Sequence, residues 1–380
     1  MKTLFLQGFG ISIKVVDGKV RITNGRSLFN NHKKEREIIE VSGTPNFDKI
    51  VIEGTSGWVT MESLKVLSDY GVNVIMVDKK GRLFANYNQI GGSSEPLLRQ
   101  KQYECFVDKD RAEHLRKWVV SQKIESQIQL FKELITKLKL VNNNHARIID
   151  NAILNMQKHY DKLGNSHSLT EITAVESYVG AWYYPNIARI LKPELGFHAR
   201  TKSTRNQAKN DANDVINALL NYGFSILHAE VAKQLNAIGL DCYVGFYHRN
   251  KPSTVALVYD MMEPFRYLAD KAILQIAETI TEEDYHYHKF ENKYPYSRFN
   301  HLQNTRWLFV SKELKKRYVS ILSSIFENKR SYKAVSGRTS KDGKVQMKEL
   351  TIMETKCVEL RDYILGTRKS LIEPLKVIAR

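Results

Sequence analysis

The apolar residues of this chain change their spacing once, near residue 90, and that change limits the fold more than any other feature. Before it they form short runs, such as residues 11–16 and 72–77, that are typical of strands. Beyond it they recur every three or four residues through long stretches, such as 112–138 and 214–235, as in amphipathic helices. The sequence therefore predicts an α+β protein in which a small β-rich domain precedes a larger all-α domain.

Local patterns place the elements and the boundary between the two parts. Asp17-Gly18 predicts a hairpin turn because both residues tolerate the positive φ angles of such turns. The segment 61–67 has the apolar spacing of a short helix. Gly91-Gly92-Ser93-Ser94 interrupts the regular spacing of the apolar residues. We expect a β-rich domain over residues 1–90, which would mediate dimerisation, a linker over 91–97 and a helical domain over 98–380. The expected strands cover residues 4–6, 11–16, 20–22, 49–52, 72–77 and 83–85.

Composition narrows the class of protein. Of the 380 residues, 42% are hydrophobic and 10% aromatic, enough to fill a core, so general disorder is excluded. Lysine and arginine number 58 against 41 acids, for a net charge of +17. Such an excess favours a polyanionic partner, most often nucleic acid, although charge alone also serves solubility.

Cysteines and hydropathy point to a cytoplasmic protein. The cysteines Cys105, Cys242 and Cys357 are widely spaced, which predicts neither a disulfide framework nor a paired-cysteine metal site. The first residues lack the apolar core of a signal peptide, and no apolar run approaches the roughly 20 residues that span a bilayer.

Two carboxylates lie in a predicted helix over 254–279, for which Ser253 is the expected N-cap. Asp260 and Glu263 are three residues apart and so share a face, and Pro264 is expected to perturb the helix directly after them. Acids among apolar neighbours need a cation. One interpretation is an ion pair with Arg266; the other is a divalent metal held by Glu263 and His248, with Asp260 as a supporting acceptor.

A third acid, Glu176, lies among small and aromatic residues at helical spacing. It is either a boundary residue bonded to a tyrosine or a metal ligand. Two basic segments are either exposed loops or phosphate contacts. The first contains Arg200, Lys202, Arg205 and Lys209, and the second is the loop-like stretch 329–348, which begins with Lys329 and Arg330.

Together these segments resemble the CRISPR-associated adaptation integrases and endonucleases, the Cas-one family. Four stretches carry the resemblance. They are Ile52-Glu53-Gly54 with the segment 71–78, Glu176 with Tyr183-Tyr184, the segment 214–224, and the run from Gly239 through His248 to Arg266.

The resemblance implies a homodimer with a helical catalytic domain. It implies that Glu176, His248 and Glu263 bind Mg²⁺ or Mn²⁺ and that Asp260 is an active-site neighbour. The implied reaction is attack of a DNA 3′-hydroxyl on a target phosphodiester, which inserts new spacer DNA into a CRISPR array, or nicking when water attacks. Double-stranded DNA and a small dimeric subunit bridging two dimers are the expected partners. The side chains expected to contact DNA are Arg200, Lys202, Arg205, Lys209, Arg266, Lys329 and Arg330.

Three alternatives remain. A casposase, the transposon integrase of the same superfamily, shares the catalytic core but usually adds a DNA-binding module at the carboxy end, which the segments 353–365 and 370–378 do not resemble. A non-catalytic DNA-binding scaffold would need only the basic charge, with the acids paired to arginines. An RNA-binding protein is the third.

Overall fold

The structure is a computed structural model, and it describes residues 3–25, 37–54, 56–78, 83–87, 96–200, 212–248, 250–252, 254–289, 306–333, 344–368 and 371. The strands are β1 (Thr3–Gln7), β2 (Ile11–Val16), β3 (Lys19–Thr23), β4 (Ile38–Val41), β5 (Lys49–Glu53), β6 (Gly57–Val59), β7 (Asn73–Val77), β8 (Leu83–Tyr87), β9 (Tyr285–Lys289), β10 (Arg306–Val310), β11 (Lys329–Lys333) and β12 (Lys344–Lys348). The helices are α1 (Met61–Asp69), α2 (Pro96–Val107), α3 (Lys109–Val141), α4 (Asn143–Tyr160), α5 (Leu169–Ile190), α6 (Val215–Ala237), α7 (Ala256–Met262), α8 (Tyr267–Ile276), α9 (Lys312–Glu327) and α10 (Glu349–Ile364).

The described chain divides into two compact units. The first comprises Met1–Gln89, Glu194–Ile226 and Ala272–Ser324, and the second comprises Ile90–Pro193, Leu227–Lys271 and Ile325–Arg380. The predicted α+β class is confirmed, with a strand-rich amino-terminal region followed by helices. Residues 91–95 of the predicted linker lie outside the described residues.

Two four-stranded sheets share one apolar core in the first unit. One has the order β1-β5-β7-β8, parallel except for its last pair, and the other has the order β4-β3-β2-β6. Alternation along each strand turns Leu6, Ile13, Ile22, Ile50 and Val74 into this core. The predicted turn is confirmed, with φ of 51° at Asp17 and 71° at Gly18.

The long helix α3 organises the second unit, where it packs against α4 and α5. Its Asp108 N-cap accepts a hydrogen bond from the backbone N–H of Arg111 at 3.0 Å. Val119, Val120, Ile124 and Ile128 form its buried face. None of the described helices is both long and apolar enough to span a membrane.

Two predictions of local structure need correction. The helix expected over 254–279 is divided: α7 ends at Met262, Glu263–Phe265 forms a 3₁₀ turn, and α8 begins at Tyr267, because Pro264 supplies no amide hydrogen. Its N-cap residue is Val255, and the predicted cap Ser253 lies outside the described residues. The stretch 329–348 was expected to be loop-like, but its two ends pair as the antiparallel strands β11 and β12.

Candidate active site

One buried carboxylate fixes the loop that carries His248. Asp260, on α7, is fully buried, and its Oδ2 accepts hydrogen bonds from the backbone N–H groups of Phe246 and Tyr247 at 2.5 and 3.0 Å. Its Oδ1 accepts from the backbone N–H of His248 at 2.8 Å. Three backbone donors thus satisfy a charge that would be costly to bury alone. Asp260 is therefore a positioning residue for the loop.

The loop approaches α7 so closely that residue 245 must be glycine. A Cβ there would lie 2.7 Å from the backbone carbon of Ala256 and 2.8 Å from Asp260 Oδ2. Gln102 holds the start of the loop, since its Nε2 donates to the carbonyl oxygens of Asp241 and Val244, both at 2.9 Å. The backbone of the loop is therefore fixed before any substrate binds.

The same carboxylate orients the ring of His248. His248 Nδ1 lies 2.8 Å from Asp260 Oδ1, and Nε2 lies 3.7 Å from Glu263 Oε1. Because a carboxylate only accepts hydrogen bonds, Nδ1 carries the hydrogen, and in the neutral ring the lone pair is on Nε2. The side chain of His248 is 33% exposed, so this nitrogen is available to a ligand.

Glu263 lies in the 3₁₀ turn, almost completely buried, between two cations. Arg266 Nε donates to its Oε1 at 2.8 Å, and Lys123 Nζ lies 2.7 Å from its Oε2. Burial disfavours the ionised carboxyl, but the charges of Arg266 and Lys123 outweigh burial and lower the pKa of Glu263 to about 2. The ion pair with Arg266 that the sequence suggested is therefore present.

Glu176 projects from α5 toward the same lysine. The helix begins with a capping box between Ser168 and Glu171, which fixes its first turn. Glu176 Oε1 pairs with Lys123 Nζ, and its Oε2 accepts a hydrogen bond from the Tyr247 hydroxyl at 2.6 Å. Burial and the charge of Glu176 raise the pKa of Tyr247, so this hydroxyl stays protonated and donates.

Lys123, on α3, is the central cation. Burial disfavours its charge, but Glu263 and Glu176 outweigh burial and raise its pKa. Its ammonium joins the carboxylates of two residues that are 87 positions apart in the sequence. Within the described ranges, no group of three or more His, Cys, Asp or Glu side chains is already arranged to hold a metal ion.

Most side chains expected to contact DNA are either paired or outside the described residues. Arg200 donates to the side-chain oxygens of Asn217 and Asn221 at 2.8 and 3.2 Å. Arg330 pairs with Glu349 and Glu133 at 2.7 and 3.0 Å. Lys329 is exposed, whereas Lys202, Arg205 and Lys209 lie outside the described residues. Contact of these residues and of Arg266 with DNA stays a prediction.

Sequence reasoning missed Lys123 and Tyr247. Lys123 follows Val119 and Val120 by a helical turn on a buried face, and a lysine at such a position requires an acidic partner. That requirement was the signal in the sequence. Tyr247 precedes His248 directly, and nothing in the local pattern pairs it with Glu176.

Comparisons with known proteins identify the family to which this chain belongs. A sequence model of the family described as "CRISPR associated protein Cas1" matches residues 4–297. The chain belongs to the Cas1 family. The "CRISPR-associated endonuclease Cas1" of Korarchaeum cryptofilum is 26% identical to it over 276 residues, which cover 71% of this chain and 76% of that protein.

The fold of this Cas1 family member is similar to those of two solved structures. A "Casposase bound to integration product" is 26% identical, has a TM-score of 0.81, and the match covers 100% of this chain and 95% of that one. A chain of a "Cas6-RT-Cas1–Cas2 complex" is 18% identical with a TM-score of 0.70, covering 99% of this chain and 36% of that one, and so shows the fold alone.

Proposed function

We propose that this Cas1 family member is a metal-dependent DNA integrase and endonuclease whose centre is Glu176, His248 and Glu263. The observation that carries the proposal is their convergence: Glu176 and Glu263 share one ammonium, and His248 Nε2 lies 3.7 Å from Glu263. Together with a net charge of +17, this is the chemistry expected of a site that acts on DNA phosphates.

The donor set fits a hard divalent cation. Carboxylate oxygens with one imidazole suit Mg²⁺ or Mn²⁺. His248 has the outer partner typical of a metal-binding histidine, because Asp260 accepts from Nδ1 and leaves Nε2 for the metal. When bound, the cation would supply positive charge to the phosphoryl oxygens of the target.

Other residues of the centre hold the proposed ligands in position. Asp260 holds the His248 tautomer, Tyr247 orients Glu176, and Arg266 holds Glu263. In the proposed reaction a DNA 3′-oxygen forms a bond to phosphorus while the bond from phosphorus to the 3′-oxygen of the target strand breaks. Attack by water at the same phosphate leaves a nick instead. Fixed side chains that need no rearrangement during reaction stabilise the transition state most effectively.

The test is strand transfer in Mn²⁺ with a labelled duplex that ends in a 3′-hydroxyl. We expect His248→Ala to lose at least about 100-fold of the joined product, in the range for loss of one electrostatic partner. His167→Ala, at an exposed surface position, is the matched control and should retain activity. Equal transfer by wild type and His248→Ala would overturn the proposal.

In this proposal the cellular role is insertion of spacer DNA into a CRISPR array. The protein would act on double-stranded DNA as a homodimer with a small dimeric adaptation subunit. A target carrying a CRISPR repeat tests this role. Preferential insertion at the repeat border, strengthened by the partner subunit, is the expected result.

A casposase role is the second candidate, favoured by the casposase match over the full length of this chain. It predicts that donor DNA with terminal inverted repeats is joined in preference to donors without them. Indifference to donor ends, combined with insertion at a repeat, would exclude it.

A further inference from the structure

Lys123 stands in the position where the proposed metal would bind. Its ammonium contacts Glu176 Oε1 and lies 2.7 Å from Glu263 Oε2, and no other described lysine pairs with two glutamates in this centre. Its side chain is 17% exposed, so it is neither a surface lysine nor fully removed from solvent.

The remaining oxygens of both glutamates also have partners. Glu176 Oε2 accepts from the Tyr247 hydroxyl, and Glu263 Oε1 accepts from Arg266 Nε. Each carboxylate therefore divides its two oxygens between Lys123 and one further donor. A divalent cation that binds both glutamates would therefore compete with these partners for the same oxygens.

We propose that Lys123 is an internal counter-ion of the metal site, which holds Glu176 and Glu263 together in the metal-free protein and competes with the divalent cation for them. This inference rests on the proposed function. It assigns to the lysine a role in setting metal affinity, separate from any contact with DNA.

Electrostatic repulsion opposes simultaneous binding of the two glutamates by Lys123 and by a divalent cation. An ammonium and a divalent cation that share the same carboxylate oxygens repel each other at short range, and partial burial weakens the screening of that repulsion. Without either cation, the partly exposed Glu176 and the buried Glu263 would face each other as two like charges. The lysine thus preserves the arrangement of the ligands while it lowers their affinity for metal.

The chain offers a matched control for this lysine. Lys271, in the same unit, pairs with Glu133 at 2.9 Å, and its side chain is 21% exposed. Lys271→Met therefore removes one partly buried ammonium that pairs with a glutamate, as Lys123→Met does, but away from Glu176, Glu263 and His248. Any general effect of lost charge on metal binding appears equally in both variants.

The experiment measures Mn²⁺ binding to the full-length, DNA-free protein by calorimetry, together with the Tm with and without Mn²⁺. We expect Lys123→Met to lower the Kd for Mn²⁺ by about tenfold, within the usual range of coupling between two ligands. Its metal-free Tm should fall by several degrees, and Mn²⁺ should raise the Tm more than in wild type. Lys271→Met should leave the Kd within about twofold of wild type, well below that coupling.

A second variant keeps the proposal testable if Lys123→Met does not fold. Lys123→Arg keeps the charge, and it should bind Mn²⁺ no more tightly than wild type. Tighter binding by Lys123→Arg, or an unchanged Kd in Lys123→Met, would overturn the role assigned to the lysine.

Failure of the proposed function looks different. If wild type binds Mn²⁺ and Glu263→Gln abolishes that binding while Lys123→Met leaves the Kd unchanged, the metal site stands and the competition is wrong. If neither wild type nor Lys123→Met binds Mn²⁺, both proposals are overturned.

Discussion

Lys315 and Lys123 are both paired with glutamates inside the fold, and their surroundings differ. Lys315, in the first unit, pairs with Glu53 at 2.6 Å, and both side chains are less than 5% exposed. Lys123, in the second unit, pairs with both Glu176 and Glu263, of which Glu176 is 21% exposed. The first pair joins one carboxylate to one ammonium away from solvent, whereas at the second one ammonium joins two carboxylates and solvent has access.

The contrast shows how a structural ion pair differs from a candidate catalytic one. Around Glu53 the remaining contacts also complete the packing, since Gln7 donates to its Oε1 at 2.9 Å and the ring of Tyr222 faces Lys315. Beside Lys123 lies His248, whose side chain is partly exposed and whose Nε2 is 3.7 Å from Glu263 Oε1. Carboxylates with access to solvent are what a divalent cation requires, and a cation held there would in turn attract a DNA phosphate.

The largest effect expected concerns Glu263. Glu263→Gln removes a metal ligand and leaves Arg266 without its acceptor charge, so strand transfer in Mn²⁺ should fall by about 1,000-fold, or roughly 4 kcal/mol in barrier. Glu53→Gln, the matched change in the first unit, should leave the rate per folded molecule unchanged. Comparable losses in both variants would remove the distinction between the two regions.

The next effect concerns stability in the first unit. Lys315→Met leaves the buried carboxylate of Glu53 without its ammonium, which should cost about 3–5 kcal/mol of unfolding free energy. Urea unfolding measures this loss. Strand transfer below the unfolding transition should match wild type. A loss of transfer at unchanged stability would mean that Lys315, too, serves the reaction.

Asp260→Asn is expected to have a smaller effect on activity than Glu263→Gln. An amide at this position donates as well as accepts, so it no longer fixes the hydrogen of His248 on Nδ1. We expect a loss of about 10–100-fold in metal affinity or strand transfer, as for other outer partners of metal-binding histidines. Asn186→Asp, on α5 outside this centre, controls for a charge change. Full activity of Asp260→Asn would contradict the positioning role.

The smallest effect concerns acid sensitivity of the second unit. Burial, aided by the charge of Arg266, lowers the pKa of His228 to about 4. The unfolded chain, with a pKa near 6.5, then binds more protons between pH 6.5 and 4, so stability falls as the pH falls through that range.

In numbers, this histidine should contribute about 1–2 kcal/mol to the loss of unfolding free energy between pH 7.5 and 5. Urea unfolding at both pH values measures it. His228→Gln should reduce the loss by that amount, and His167→Gln is the exposed control. An unchanged loss in His228→Gln would show that other groups cause the acid sensitivity.

Local chemistry explains what the sequence could predict. Short apolar runs predicted β1, β2, β3, β5, β7 and β8, and Asp17-Gly18 predicted the turn, because these features depend on neighbouring residues. Pro264 was expected to perturb its helix and does so. The ends of the stretch 329–348 were misjudged because the charged strand β11 lacks an apolar alternation, although its backbone pairs with that of β12.

Long-range contacts explain what the sequence could not predict. The resemblance supplied Glu176, His248 and Glu263, but their connection through Lys123 depends on how α3 packs against α5 and the 3₁₀ turn. Asp260 was expected to support a metal ligand. That it also holds three backbone N–H groups follows from the path of the loop, which Gly245 makes possible by lacking a Cβ.

The proposed metal centre can be tested directly by anomalous diffraction at the manganese edge from crystals of the protein soaked in Mn²⁺. We expect one peak at roughly 2.0–2.3 Å from oxygens of Glu176 and Glu263 and from Nε2 of His248. The proposed centre would be contradicted if the manganese peak lay elsewhere and these three side chains held no metal. The protein tested must perform strand transfer in the same buffer.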